Sequence, residues 1–262
     1  RMLRRVTLTE PYRRAVSCHV IAPTTMINNL LTILVTLTIS FTCQAQVLNN
    51  SRTTPYGIFK FSDQDQETVD ELIQCCRNNL PKIADILKVN FDPKTIVEIY
   101  PNQTAYDENI INRNLKGTPA ISGYGKIQMV SPKSPIKIAN FSYPDRLLFL
   151  IHEYVHTSID QISSTMPIFL NEGLACYYGS NNFYQAVVDK YRDQLNNRPT
   201  VDQLVNNYNQ IPGADVYSYL FIEFLVKTEG EQKLPATLIN HSSLSSKNSN
   251  WTRYLDSLKQ NK

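Results

Sequence analysis

From Pro144 onward, apolar residues recur at three- and four-residue spacing. That period predicts helices over 144–160, 167–178, 182–195, 200–207, 214–229 and 249–260. Upstream the pattern differs. Tyr56 to Phe61 (YGIFKF) and Lys126 to Ser131 (KIQMVS) alternate, and Thr95 to Tyr100 (TIVEIY) is rich in β-branched residues, so three strands are predicted. Pro132 and Pro135 beside the third strand argue for an edge or terminal position in the sheet. Between the strands, Val69, Leu72, Ile73, Cys76 and Leu80 predict a helix over 63–88 that Pro81 should kink or split. A short helix is predicted over 103–111. Residues 47–55 read as a polar lead-in without structure, and 240–250 as a polar loop. Strands precede helices, so the fold class is α+β: a small sheet over 56–140, then a helical half over 144–262.

The first 45 residues read differently. Leu30 to Thr42 is uncharged and too short to span a bilayer comfortably, and it ends in Cys43-Gln44-Ala45. This is the pattern of a secretory signal over about 26–45, cleaved before Gln46. It implies a secreted, periplasmic or cell-envelope protein without a transmembrane helix in the remainder. The rival is a buried helix or an uncleaved anchor. Arg1, Arg4, Arg5, Arg13 and Arg14 either supply the positive start of that signal or precede a true start at Met26. Phe41-Thr42 is a poor lipobox for lipidation at Cys43. The whole chain carries a formal net charge of +3. The first 45 residues hold five Arg and one acid, so the rest carries −1. The basic footprint of a nucleic-acid-binding protein is therefore missing. Residues 46–262 are read as one domain. Their three cysteines, Cys75, Cys76 and Cys176, form no disulfide framework and leave open one bridge or three thiols.

Candidate chemistry lies in the helices. Residues 147–160 read LLFLIHEYVHTSID. His152 and His156 are one helical turn apart on one face and can bind one metal from a rigid element. Glu153 lies about 100° round from His152, beside such a metal rather than on it, where a general base for a water molecule belongs. The helix is apolar nearly all round, hence buried, and a buried His-Glu-His set costs several kcal/mol per uncompensated ion, about the amount a metal would offset. Residues 166–179 (MPIFLNEGLACYYG) form a second apolar helix, begun by Pro167 and ended by Gly179. The link between the helices is short, so they fold back on one another and carry Glu172 toward the two histidines as a third ligand. The metal expected is Zn²⁺.

HEYVH followed by NEGLACYYG resembles the gluzincin metallopeptidases, and more closely the small peptidase-MA-like domains of bacterial secreted proteins. His152, Glu153, His156, Pro167, Leu170, Glu172, Gly173, Leu174 and Ala175 carry the resemblance, which is strong over about 145–180 and extends weakly to 217–236. It implies a zincin-like fold and zinc-dependent hydrolysis of a peptide or protein substrate, with His152, His156 and Glu172 on the metal and Glu153 as base. It also implies a tyrosine donor to the oxyanion. Helix alignment puts Asp215 at that tyrosine's place, and Tyr217 is the nearest alternative, with Tyr219 behind it. The metzincin pattern is excluded, because positions 159 and 162 are both Ile. The resemblance further suggests that an extended peptide adds to the edge strand at 126–131.

Plainer readings stand beside these. Asp160 is a candidate to orient His156, or a solvated residue at a helix end. Cys176 is a small core residue rather than a nucleophile. Gly123-Tyr124-Gly125 lacks the third glycine of a nucleotide loop. The rival functions are a non-catalytic extracellular zinc-holding binding module and, further off, a metal-free structural protein.

Overall fold

A computed structural model describes residues 48–135, 141–179, 181–191 and 198–260. The expected signal segment lies outside them, and so do residues 192–195 of the third predicted late helix. Residues Gln46–Lys262 cluster as one unit.

Five strands form one mixed sheet, in the order β1-β2-β3-β5-β4. Strands β1 (Asn50–Thr54) and β2 (Gly57–Phe61) make an antiparallel hairpin. Strand β2 runs parallel to β3 (Ile96–Tyr100), and β3 parallel to β5 (Lys126–Val130). Strand β4 (Ala120–Gly123) then closes antiparallel on β5, with Ser122 opposite Ile127 and Gly123 opposite Lys126. Within the sheet, two expectations from the sequence are corrected. Residues 50–54 are a strand, because a polar segment paired to β2 needs only its backbone. Segment 126–131 is interior, and β4 is the edge. Pro132 and Pro135 follow the ladder and mark where it stops rather than which side is free.

The two faces of the sheet separate two apolar clusters, as the period-2 alternation requires. Phe59, Phe61, Val97, Ile99, Ile127 and Met129 face the large core. Tyr100 and Val130 face a smaller cluster with Tyr106 and Ile110. Helix α1 (Gln66–Leu87) lies on the large core through Val69, Leu72, Cys76, Leu80, Ile83 and Leu87. It is not split at Pro81, which sits on the exposed side. The carbonyl freed there is that of Arg77, itself exposed, so water can take it, while the apolar face stays continuous. Helix α2 (Gln103–Asn109) is capped by Asn102, whose side chain accepts from Ala105 N at 2.9 Å.

Helix α3 (Tyr143–Ser158) starts with a reciprocal capping box between Ser142 and Asp145, with Pro144 in the first turn. Tyr154 on this helix donates to the Tyr56 carbonyl at 2.6 Å and ties it to the first hairpin. Helix α4 (Ile168–Gly179) packs between α3 and α7 (Ala214–Glu229). Two glycines allow it. A Cβ on Gly173 would lie 2.6 Å from the Ser218 carbonyl oxygen, and one on Gly179 would lie 2.3 Å from the His152 nitrogen. The remaining helices are α5 (Asn181–Tyr191), α6 (Val201–Asn207), α8 (Leu234–Ile239) and α9 (Asn248–Gln260). Segment 240–250 is not a loop: His241–Lys247 winds as a 3₁₀ helix into α9. Among the described residues no helix is long and apolar enough to cross a membrane.

Candidate metal centre

Helices α3 and α4 bring His152, His156 and Glu172 together. The two Nε2 atoms are 3.0 Å apart, and Glu172 Oε2 lies 3.9 Å from that of His152 and 3.7 Å from that of His156. These three residues form a cluster able to hold a metal ion. A point equidistant from the three atoms lies about 2.1 Å from each, which matches ordinary zinc–nitrogen and zinc–carboxylate bonds of about 2.0–2.2 Å.

The hydrogen bonds behind the rings explain why the nitrogens converge. His156 Nδ1 lies 2.6 Å from Asn171 Oδ1, so it donates and leaves a lone pair on Nε2. The His152 ring bonds the backbone carbonyl of Ala175, which again calls for a ring N–H and leaves the Nε2 facing His156 bare. Two bare nitrogens at 3.0 Å repel unless a cation lies between them. A proton is a poor candidate: burial, then the neighbouring His156, push the His152 pKa well below its ordinary value, against the smaller pull of Ala175. The donor set fits a divalent ion of zinc type.

Glu153 is buried beside this cluster, at 7 % exposure. Burial raises its pKa, and Glu172 adds to the rise. The neighbouring His156 and two hydrogen bonds from Ser122, one from the hydroxyl and one from the backbone N–H, oppose it. Ser122 belongs to β4, so the outermost strand holds the carboxylate in place. Glu172 is likewise raised, by burial first and then by Asp215, with His156 opposing.

These residues open into a cleft of about 1190 Å³, which runs from Phe141, Phe149 and Tyr184 past the cluster and along β4 to Ile111, Leu115 and Tyr124. Asp215 lies on its wall with its carboxylate bonded by the Tyr208 hydroxyl. Tyr217 and Tyr219 do not line it. Both are buried in the core, at 3 % and 1 % exposure, and Tyr219 stacks on Tyr184. The tyrosine on the inner wall is Tyr184, whose hydroxyl bonds Cys176. The partner of His156 is Asn171, reached from the next helix, and not Asp160, which is exposed at the rim. Sequence reasoning missed Asn171 and Ser122. Asn171 carries one usable signal: it precedes Glu172 on the same helix and so rides with the third ligand. Among the described residues, Cys75, Cys76 and Cys176 are free thiols, with Cys76 and Cys176 buried.

No family model matches the chain, and no curated protein matches it.

Proposed function

We propose that this chain is a metal-dependent hydrolase of the two-His, one-Glu type. Within that class the reading is a gluzincin-like zinc peptidase with a zincin-like fold, secreted through its N-terminal segment. The observation that carries it is the pair of bare Nε2 atoms converging with Glu172 at bonding distance from one point, with a second, buried carboxylate alongside.

His152, His156 and Glu172 would hold the ion, which when bound would supply Lewis acidity for a carbonyl and for water. Glu153 takes the proton from the attacking water and returns it to the leaving amine. Its raised pKa suits both halves of that transfer, since a base poised toward neutrality also makes a competent acid. Ser122 bonds that carboxylate from β4, the outermost strand. The outer edge of β4 carries no further strand among the described residues. An extended peptide fits there as an added strand beside Glu153, which moves the expected docking strand from 126–131 to 120–123. Tyr217 is withdrawn from the cleft, and no side-chain hydroxyl is assigned to the oxyanion.

The burial of Tyr217 favours one rival, a zinc-holding module without turnover. One experiment separates them. Purified protein is assayed for metal content and for cleavage of an end-blocked peptide library, with and without a chelator, beside Glu153→Gln. The peptidase reading expects about one zinc per chain, chelator-sensitive cleavage, and retained zinc with lost cleavage in the variant. Zinc without cleavage establishes the rival, and a chain that takes up no metal defeats both.

A further inference from the structure

Three of the large apolar side chains exposed on this molecule line one end of the same cleft: Ile111 at 37 %, Leu115 at 39 % and Tyr124 at 98 % exposure. Tyr124 is the most unusual of them. It is the first of the two central residues of the β4–β5 hairpin, where Tyr124 has φ 51° and Gly125 has φ 74°. A turn with positive φ at both positions favours Asn-Gly or Asp-Gly, and a tyrosine there carries a conformational cost. Its ring does not offset that cost by packing, since it stands in solvent with no hydrogen-bond or ring partner among the described residues. Neither turn chemistry nor core formation accounts for this residue.

The neighbouring wall is built to stay in place. The Ile111 N–H donates to the buried Gln128 side chain at 2.7 Å. The Gln128 amide in turn donates to Glu98 at 2.7 Å and to the Asn109 carbonyl at 3.2 Å. Ile111 Cδ1 lies directly over Gly123, 3.1 Å from where a Cβ would sit. Leu115 closes a 3₁₀ turn onto the Asn112 carbonyl at 2.9 Å, and Thr118 Oγ1 donates back to the Leu115 carbonyl at 2.8 Å. An ordered apolar wall and an exposed aromatic ring therefore flank the end of β4, in a cleft that also holds the metal cluster.

We infer that Ile111, Leu115 and Tyr124 form a specificity subsite for a large apolar side chain, aromatic or leucine-like, of a peptide lying along β4. The inference rests on the peptidase reading for its substrate and names the class that reading leaves open. Tyr124 caps the subsite from the hairpin tip, and Ile111 with Leu115 forms its floor. Placing such a side chain there removes three exposed apolar surfaces from water at once, which is the source of the preference.

The test compares two end-blocked hexapeptides of otherwise polar sequence, identical except for Phe or Ala at the third residue. Wild-type protein, Tyr124→Asn/Leu115→Asn and Tyr124→Phe are measured. The double variant should raise KM for the Phe peptide about tenfold with kcat within about twofold, and leave the Ala peptide almost unchanged; Tyr124→Phe should behave as wild type. Binding of the same two peptides, fluorescein-labelled, to Glu153→Gln protein and to that protein carrying the double substitution reads the subsite without turnover. Failure of the peptidase reading is thus seen in the cleavage assay, and failure of the subsite in the binding assay. Loss of the Phe-over-Ala binding ratio in the double variant supports the subsite. An unchanged ratio, or no Phe-over-Ala preference in the parent, overturns it.

Discussion

Gly179→Ala tests how the metal centre is held. Gly179 reads in the sequence as a residue that ends a helix, yet its position against α3 gives it a second role. A Cβ there would lie 2.3 Å from the nitrogen, 2.4 Å from Cα and 2.6 Å from Cβ of His152. Real Cβ atoms keep at least 3.0 Å, so α3 and α4 must separate by about 0.7 Å, and by about 1.1 Å to regain ordinary contact. Those atoms are backbone, so no rotamer change relieves them. Overpacking of this kind costs about 1–3 kcal/mol, which lowers Tm by several degrees in a domain of this size. The larger effect falls on the metal. Ligand distances tolerate about ±0.2 Å, and His152 and Glu172 ride on the two helices being forced apart. Zinc affinity, read by competition with a chromophoric chelator, should fall by about 10–100-fold, as it does when a ligand loses its supporting contact. Gly230→Ala is the control. Its φ of 90° makes alanine costly, by about 1 kcal/mol, but the added methyl meets nothing within 4 Å, and zinc affinity should hold. If Gly179→Ala kept wild-type zinc affinity, the close approach of α4 to His152 would not be what sets the ligand geometry.

Asn171→Ala removes the acceptor that fixes the His156 tautomer and should weaken zinc about 10–100-fold while leaving circular dichroism unchanged; Asn171→Asp should restore most of the affinity. Equal affinity in all three proteins would dismiss that role. Glu98 predicts a pH dependence. Burial raises its pKa, but Lys126, Gln128 and Tyr100 outweigh burial and bring it below the ordinary carboxylate value. A carboxylate lowered in the folded state adds stability above the ordinary range of about 4, and that share fades as pH falls through the folded-state value. Urea melts between pH 7 and 3 should show a steeper acid-side loss in wild type than in Glu98→Gln, and parallel curves would count against the network.

Six helices of the second half were legible because burial there is dictated by one-dimensional period, whereas Leu234–Ile239 and the 3₁₀ helix His241–Lys247 were not. Strands β2 and β5 were legible by alternation, and β3 by its β-branched residues. What escaped had its cause elsewhere in the chain. Strand β1 (NSRTT) has no apolar signature, and its conformation is supplied by the ladder to β2. Strand β4 (AISG) is four residues long with a glycine, too short for alternation to register. The cluster of His152, His156 and Glu172 was legible because two sit at one-turn spacing in an apolar helix and the third interrupts a second apolar helix. The groups that aim them were not. The i+4 position of His156 is Asp160, the neighbour that sequence offers, but the ring turns toward the adjacent helix and finds Asn171. Glu153 is held from a strand that sequence reasoning did not see. Local pattern reports which side chains need burial, and the partners of a buried polar group are set by how elements pack.

The same distinction bears on why the centre should depend on metal for stability. Four ionisable side chains meet in a small volume: His152, His156, Glu172 and Glu153. Burial opposes charge on the carboxylates and on His152 alike. Lys and Arg are absent from the described residues that line the cleft, and Asp215 adds another negative charge beside Glu172. No lysine or arginine among the described lining residues balances the buried Glu153 and the half-buried Glu172, whereas one dication would do so and would also satisfy both imidazole nitrogens. On the proposed reading, metal binding would be folding energy here, growing as RT ln(1 + [L]/Kd), about 4 kcal/mol at a thousandfold excess over Kd. Metal-stripped protein titrated with zinc in a calorimeter should show Tm climbing by more than about 5 °C, and Glu172→Gln should cut most of that climb. Magnesium, which prefers six oxygen ligands, should leave Tm where it was. A melting point indifferent to zinc would mean that the protein already balances these charges by itself, and the case for a metal centre would fail at its physical root.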